Sequence, residues 1–251
     1  MSDPLHRLAG KLDQAFAKTD LAGRLRLLRD SVAGRLIFTT SFGIEDQALT
    51  HAISEQGIDV EFATLDTGRM FPETYEVWAR TEEKYGMRIK AFYPDAEAVQ
   101  ALVADQGVNG FYYGLDMRKA CCGVRKVEPL GRALANAQGW IAGLRGDQSG
   151  HRANLRFVEA DPARELIKAS PLLDFSREDV AAYCAARDVP INALHDKGFV
   201  SIGCAPCTRA IAPGEPERAG RWWWESEDKK ECGLHVGADG RLQRAKEAAH
   251  S

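Results

Sequence analysis

The sequence predicts an α/β protein built on an open, mostly parallel sheet with helices on both faces. Short apolar runs alternate with stretches of helical periodicity from residue 35 to residue 144, and this alternation is typical of βαβ units that share one sheet. The chain has 251 residues, of which 45% are hydrophobic and 27% charged. That composition is sufficient for one large domain with a well-filled core, and it argues against global disorder.

Each predicted element rests on a local pattern. Leucines at helical spacing predict helices before residue 31, and Ser176 is positioned to cap a later helix that contains Cys184. Apolar runs bounded by glycines and polar residues predict strands at 35–40, 59–65, 88–93 and 139–144. Amphipathic patterns predict helices at 45–55, 72–85, 96–105 and 129–137.

The hydrophobic periodicity fades beyond Pro213. Residues 1–212 are therefore predicted to form the α/β domain, and residues 213–251 a mobile C-terminal tail. Trp222–Trp224 are expected to pack this tail onto the domain, with base stacking as the alternative. The net charge of −3 argues against a nucleic-acid coat but allows a local basic pocket. No apolar run is long enough to span a membrane, and the N-terminus lacks a signal peptide. A cytoplasmic protein is expected, and a homo-oligomer is compatible with the sequence.

Six cysteines are notable in such a chain, because disulfides are rare in reducing compartments. Cys184 fits a buried helical thiol. Cys204 and Cys207 form a CxxC pair, which alone is compatible with a redox dithiol, half a zinc site or half an iron–sulfur site. Cys121 and Cys122 complete four thiolates, enough for zinc or a [4Fe–4S] cluster. Their adjacency favours the cluster, because zinc knuckles separate their cysteines; unrelated core cysteines are a third interpretation.

Cys232 lies outside any apolar pattern. Lys229 and Lys230 beside it favour the thiolate, and Gly233 lets the backbone approach a ligand. These neighbours indicate a reactive nucleophile, with a surface cysteine as the alternative.

Candidate ligand-binding groups follow the predicted strands, at the edge where open parallel sheets bind ligands. The strand-end residues suited to phosphate, ribose or adenine are Ser41, Phe42, Gly43, Leu65, Asp66, Gly68 and Gly143. The cations suited to a phospho-sulfo substrate are Lys126, Arg145, Arg152, Arg218 and Arg221. Ordinary tight turns and solvated surface arginines are the alternatives.

Together these motifs resemble the assimilatory sulfonucleotide reductases. The matching segments are 41–43, 65–74, 121–122, 194–198, 201–209 and 231–235. The resemblance implies an adenine nucleotide alpha hydrolase-like fold. Within this family, a CC…CxxC set marks the branch that carries a [4Fe–4S] cluster and reduces adenosine 5′-phosphosulfate (APS) with thioredoxin. The branch without those cysteines uses the 3′-phosphorylated substrate, PAPS.

The resemblance implies that Cys121, Cys122, Cys204 and Cys207 hold the cluster. It also implies that Cys232 attacks the sulfur of APS, releases AMP and carries an S-sulfocysteine that thioredoxin resolves. A PAPS reductase, a PP-loop ATP pyrophosphatase and a zinc-stabilised nucleotide-binding module are the alternatives. The pyrophosphatases carry a Ser-Gly-Gly-x-Asp-Ser loop, from which residues 41–46 depart.

Overall fold

The computed structural model describes residues 3–148 and 155–226. The strands are β1 (Leu36–Thr40), β2 (Glu61–Leu65), β3 (Lys90–Phe92), β4 (Gly139–Ile141), β5 (Val158–Asp161) and β6 (Leu166–Ala169). The α-helices are α1 (Pro4–Phe16), α2 (Leu21–Ser31), α3 (Ile44–Glu55), α4 (Pro72–Tyr85), α5 (Ala96–Gln106), α6 (Leu115–Cys122), α7 (Glu128–Ala133) and α8 (Arg177–Ala185). A π-helical segment, Gly123–Val127, joins α6 to α7.

The described strands form one sheet in the order β3-β2-β1-β4-β6-β5. All neighbouring pairs are parallel except β5 and β6, which are antiparallel. Phe38 of β1 pairs in register with Phe62 of β2 and with Ile141 of β4. The chain moves from β1 to one side for β2 and β3, then crosses to the other side for β4. This reversal creates the switch point at which open sheets bind ligands.

Alternate residues of β1 enter cores on opposite faces of the sheet. Leu36 and Phe38 pack in a cluster with side chains of α1, α2, α3 and α8. Ile37 packs in a second cluster with Leu130 and Ala133 of α7. Because successive strand residues point to opposite faces, this division confirms the predicted sheet with helices on both sides.

The predicted strands and most of the helices are confirmed, with ends that differ by a few residues. Ser176 caps α8 in a capping box with Asp179, and Cys184 is buried. The helix predicted at 129–137 ends at Ala133, because Asn136 adopts a left-handed φ of 58° that redirects the chain into β4. Helix α6 and the β5–β6 hairpin were not predicted.

The first part of the predicted tail packs onto the sheet domain. Ala219 and Trp222 are buried, and Arg221 forms an isolated antiparallel bridge with Thr208. Trp222 thus packs as predicted, while Trp223 is 40% exposed. The rest of the predicted tail, residues 227–251, lies outside the described residues. Among the helices that are described, none has the length and apolar character needed to cross a membrane.

Candidate active site

A pocket opens at the carboxyl ends of β1, β2 and β4, beside the switch point of the sheet. The strand ends contribute Thr40, Thr64, Leu65, Ala142 and Gly143 to its lining. The pocket therefore lies where the sequence predicts that strand-end loops bind a ligand.

The structure brings together many, but not all, of the predicted substrate-binding residues. Those that line the pocket are Ser41, Gly43, Leu65, Lys126, Gly143, Arg218 and Arg221. Those that lie beside it without lining it are Phe42, Asp66, Gly68 and Arg145. Arg152 and the predicted nucleophile Cys232 lie outside the described residues.

Phe42 fixes the loop that follows β1, which contains Ser41 and Gly43. Its backbone has a left-handed φ of 60°, which is uncommon for a bulky residue. Its ring is fully buried and stacks on Trp78 with the centroids 5.4 Å apart. The Phe42 amide donates to Thr40 Oγ1 at 3.0 Å. Phe42 thus turns the chain sharply so that Ser41 and Gly43 on either side face the pocket.

Asp46 ties the same loop to the end of β4. Its Oδ2 accepts hydrogen bonds from the Ser41 amide at 2.6 Å and from Ser41 Oγ at 2.7 Å. Gly143 lies directly against it: a Cβ at residue 143 would fall 2.1 Å from Asp46 Oδ1. The loop can adopt this position because residue 143 lacks a side chain.

Asp66 stabilises the loop that follows β2 and does not line the pocket. Its carboxylate accepts from Tyr75 OH at 2.9 and 3.0 Å and from the Gly68 amide at 2.9 Å. Burial and the hydrogen bond to Asp66 raise the pKa of Tyr75 to about 12, so the phenol stays protonated and donates. Gly68, at a φ of 69°, completes a turn that suits glycine.

Arg145 is fully buried among carboxylates. Its Nε donates to Glu45 Oε1 at 2.9 Å, its Nη2 donates to Glu217 Oε2 at 2.7 Å, and its Nη1 donates to Asp147. Burial opposes the charge of the guanidinium, but the carboxylates outweigh it and raise the Arg145 pKa. Arg145 therefore meets side chains of the protein where the sequence suggested a substrate anion.

Arg221 and Arg218 reach the pocket from the segment that follows the CxxC pair. Arg221 packs so closely on Gly203 that a Cβ there would lie 2.2 Å from Nη2. Both guanidinium groups lie near the Trp222 ring, at 4.8 Å for Arg221 and 5.9 Å for Arg218. The buried indole thus lies against two cations that line the pocket.

The four predicted cluster ligands face one small cavity. Cys121 and Cys122 come from the end of α6, whereas Cys204 precedes the 3₁₀ turn Ala205–Cys207 and Cys207 is its last residue. The same cavity is lined by five cations, which are Arg69, Arg118, Arg125, Lys126 and Arg221. Thiolates are anions, so this surrounding charge favours them.

The chemistry of these four side chains suits a metal group, because thiolates are ligands of zinc and of iron–sulfur clusters. Within residues 3–148 and 155–226, no three or more His, Cys, Asp or Glu side chains converge as ligands of one metal ion. An iron–sulfur cluster is larger than one ion and binds its cysteines at separate corners. Cys121, Cys122, Cys204 and Cys207 share this cavity and are the described residues that could hold such a group.

Cys121, Cys204 and Cys207 differ in how readily their thiols ionise. Although burial opposes the thiolate at Cys204, nearby Lys126 and the Thr67 hydroxyl, 3.3 Å from the sulfur, outweigh it and lower the Cys204 pKa. Burial raises the pKa of Cys121 and raises that of Cys207 to about 12. Of these three thiols, Cys204 therefore forms the thiolate most readily.

Several functional candidates were not predicted from the sequence. Thr67 contacts Cys204, and its carbonyl accepts from Arg125 Nη1 at 2.7 Å. Glu217 lines the pocket and pairs with Arg145. The signal for Thr67 was its place in the strand-end loop, but nothing in the spacing marks Glu217.

Comparisons with known proteins identify the family of this chain. Residues 35–210 match the phosphoadenosine phosphosulfate reductase domain family. The chain is 56% identical to the adenosine 5′-phosphosulfate reductase of Rhizobium meliloti (strain 1021), over 86% of this chain and 82% of that protein. It is 48% identical to the protein of that name from Allochromatium vinosum, over 80% and 78% of the two chains.

The fold also has a solved counterpart. A phosphoadenylyl-sulfate reductase from Candida auris, crystallised as a phosphate complex, superposes with a TM-score of 0.69 at 23% identity. The superposition covers 84% of this chain and 98% of that one. This likeness shows the fold, while the domain match and the relatives show that the chain belongs to the sulfonucleotide reductase family.

Proposed function

We propose that this protein reduces APS to sulfite and AMP in assimilatory sulfate reduction. One observation carries the proposal: Lys126, Cys204 and Arg221 line both the pocket at the sheet edge and the cavity between the four cysteines. A nucleotide in the pocket could therefore direct its anionic end towards the cysteines. The names of the relatives with more than 50% identity support APS as the substrate.

The first step uses Cys232 as the nucleophile. Its thiolate attacks the sulfur of APS, the S–Sγ bond forms, and the bond between sulfur and the bridging oxygen breaks. AMP leaves with that electron pair, and an S-sulfocysteine remains. Lys126, Arg218 and Arg221 lower the repulsion between two anions and stabilise the charge that develops on the leaving phosphate.

The second step uses reduced thioredoxin. One of its thiolates attacks Sγ of Cys232, and sulfite leaves with the electron pair of the broken S–S bond. The second thioredoxin thiol then attacks the mixed disulfide and regenerates the Cys232 thiolate. Two electrons pass to sulfur, and thioredoxin leaves as its disulfide.

Cys121, Cys122, Cys204 and Cys207 would hold a [4Fe–4S] cluster. When bound, the cluster would join the two cysteine pairs and tune the electrostatic field beside the substrate sulfate. Arg118 and Arg125 on the cavity wall would balance the charge of the thiolates. We further propose that the reaction occurs in the cytoplasm, where thioredoxin is kept reduced.

Sulfite formation from APS and from PAPS, each with reduced thioredoxin, tests the substrate and the reductant together. We expect sulfite from APS and much less from PAPS. Preference for PAPS would overturn the substrate, and ATP cleavage to AMP and pyrophosphate would indicate a pyrophosphatase. Zinc without iron or acid-labile sulfide would remove the cluster from the proposal.

The variant Cys232→Ser tests the nucleophile. We expect it to retain iron and to bind APS, because residue 232 belongs to neither proposed binding set, but to release no sulfite. Cys184→Ala is the matched control: this thiol is buried against α3, contacts the Ile44 carbonyl at 3.8 Å, and lines neither the pocket nor the cysteine cavity. Sulfite release by Cys232→Ser at the wild-type rate would contradict the mechanism.

A further inference from the structure

Three chain segments that form the pocket meet at one guanidinium. Glu45 lies in the first turn of α3, Asp147 follows β4, and Glu217 precedes the pocket arginines. Arg145 contacts all three carboxylates, and its side chain is 0% exposed. The Arg145 amide also donates to Gln148 Oε1 at 3.2 Å, which fixes the start of the loop after β4. One arginine therefore fastens three segments that are distant in sequence.

The contact with Glu217 is the one that reaches the anion-binding cations. Glu217 is followed at once by Arg218, which lines the pocket. The Ala219 amide donates to the Pro216 carbonyl at 2.8 Å, and the Arg221 amide donates to the Arg218 carbonyl at 2.9 Å. The Arg209 amide then donates to the Gly220 carbonyl at 3.0 Å. These hydrogen bonds form consecutive short turns, so the position of Glu217 determines where Arg218 and Arg221 lie.

Charge balance gives the contact a second effect. Glu45 and Glu217 line the same pocket as Lys126, Arg218 and Arg221. Bare carboxylates there would repel an anionic ligand and would attract the arginines away from it. Arg145 lies against these carboxylates from the buried side and so offsets their negative charge at the pocket.

We propose that Arg145 is a positioning residue: by binding Glu217, it sets Arg218 and Arg221 at the pocket and does not itself bind the substrate. An arginine that bound the substrate would line the pocket, whereas the Arg145 side chain lies behind it with each guanidinium nitrogen donating to a carboxylate. This inference rests on the proposed function for the identity of the ligand, APS.

A double-mutant cycle tests the coupling. The variants are Arg145→Lys, Glu217→Ala and the double variant, and calorimetry measures their dissociation constants for APS and for adenosine. Lysine retains the charge but cannot fork between Glu45 and Glu217. We expect each single change to weaken APS binding roughly tenfold and the double change to weaken it by about the same factor, since residues acting through one contact are not additive. Adenosine lacks the phosphosulfate that Arg218 and Arg221 are proposed to bind, so it should bind within about twofold of wild type.

The conservative change Glu217→Gln is the internal control. Its amide oxygen can still accept from Arg145, so we expect the loss of APS affinity to fall to roughly threefold, as for a single weakened hydrogen bond. A substrate-binding role for Arg145 predicts the opposite pattern: Arg145→Lys would be impaired, Glu217→Ala would bind APS normally, and the effects would multiply. Equal loss of APS and adenosine binding would indicate a general folding defect and would also overturn the proposal.

Sulfite release by the wild type is a separate test. Its absence would refute the proposed function, while the coupling between Arg145 and Glu217 would still be measured by the APS dissociation constants. A wild type that releases sulfite but shows additive variants would refute only the positioning role.

Discussion

At the scale of single residues, close packing around the pocket limits which side chains a position can hold. Gly143 is the clearest case, because a Cβ would collide with Asp46 Oδ1, and Asp46 holds the Ser41 loop.

We predict that Gly143→Ala lowers the free energy of unfolding by about 1–3 kcal/mol, as for other overpacked sites, and raises KM for APS. Urea unfolding and steady-state kinetics would measure both. Gly131→Ala in α7 is the control: nothing lies within 4 Å of its Cβ, so stability should be unchanged or slightly higher. Wild-type stability and KM in Gly143→Ala would show that the loop can shift without cost.

At the scale of elements, a buried ion pair joins α6 to the segment after Trp222. Arg118 Nε and Nη2 donate to the Glu225 carboxylate at 2.7 and 2.9 Å, and the guanidinium lies 4.4 Å from the Trp222 ring. Because α6 ends in Cys121-Cys122, this pair links the cysteine cavity to the chain that continues towards residue 232.

Breaking this pair should be costly. We predict that Glu225→Ala lowers the free energy of unfolding by about 3–5 kcal/mol, since it leaves the Arg118 charge buried without its partner carboxylate. Arg132→Ala removes an exposed i,i+4 pair with Glu128 in α7 and should cost less than about 1 kcal/mol. Chemical denaturation compares the two. Equal small losses would show that water or another group replaces Glu225.

The strands and helices also show how much of the fold can be predicted from the sequence. Periodicity identified the parallel strands and most helices, because apolar residues recur where they face the core. It missed β5 and β6, since Glu159, Asp161 and Lys168 are polar residues placed in strands. The sequence was enough to propose that Cys121 and Cys204 belong to one site, because both are thiols that can bind the same metal group. It could not show that Arg145 meets Glu45 and Glu217, which are distant in sequence and become neighbours only through the fold.

For the whole molecule, the cysteine cavity connects two distant stretches of chain. Cys122 and Cys204 are separated by 81 residues, which include β4, β5, β6 and α8. A group bound by both pairs would close that loop and reduce the entropy of the unfolded chain. Loop closure of this length contributes about 4 kcal/mol in the disulfide analogy, which corresponds to roughly 10 °C in melting temperature for a chain of this size.

We therefore predict that removing iron with a chelator lowers the melting temperature by roughly 10 °C. Cys121→Ser should do the same without a chelator, whereas Cys184→Ala should keep its bound iron and its response to chelation, because Cys184 lies in the core against α3. Differential scanning calorimetry, with iron and acid-labile sulfide measured on the same samples, distinguishes the cases. If the iron-free protein melted at the same temperature as the iron-loaded protein, the four cysteines would not be joined through a bound cluster. The cavity would then be an ordinary packing feature of α6 and the CxxC turn.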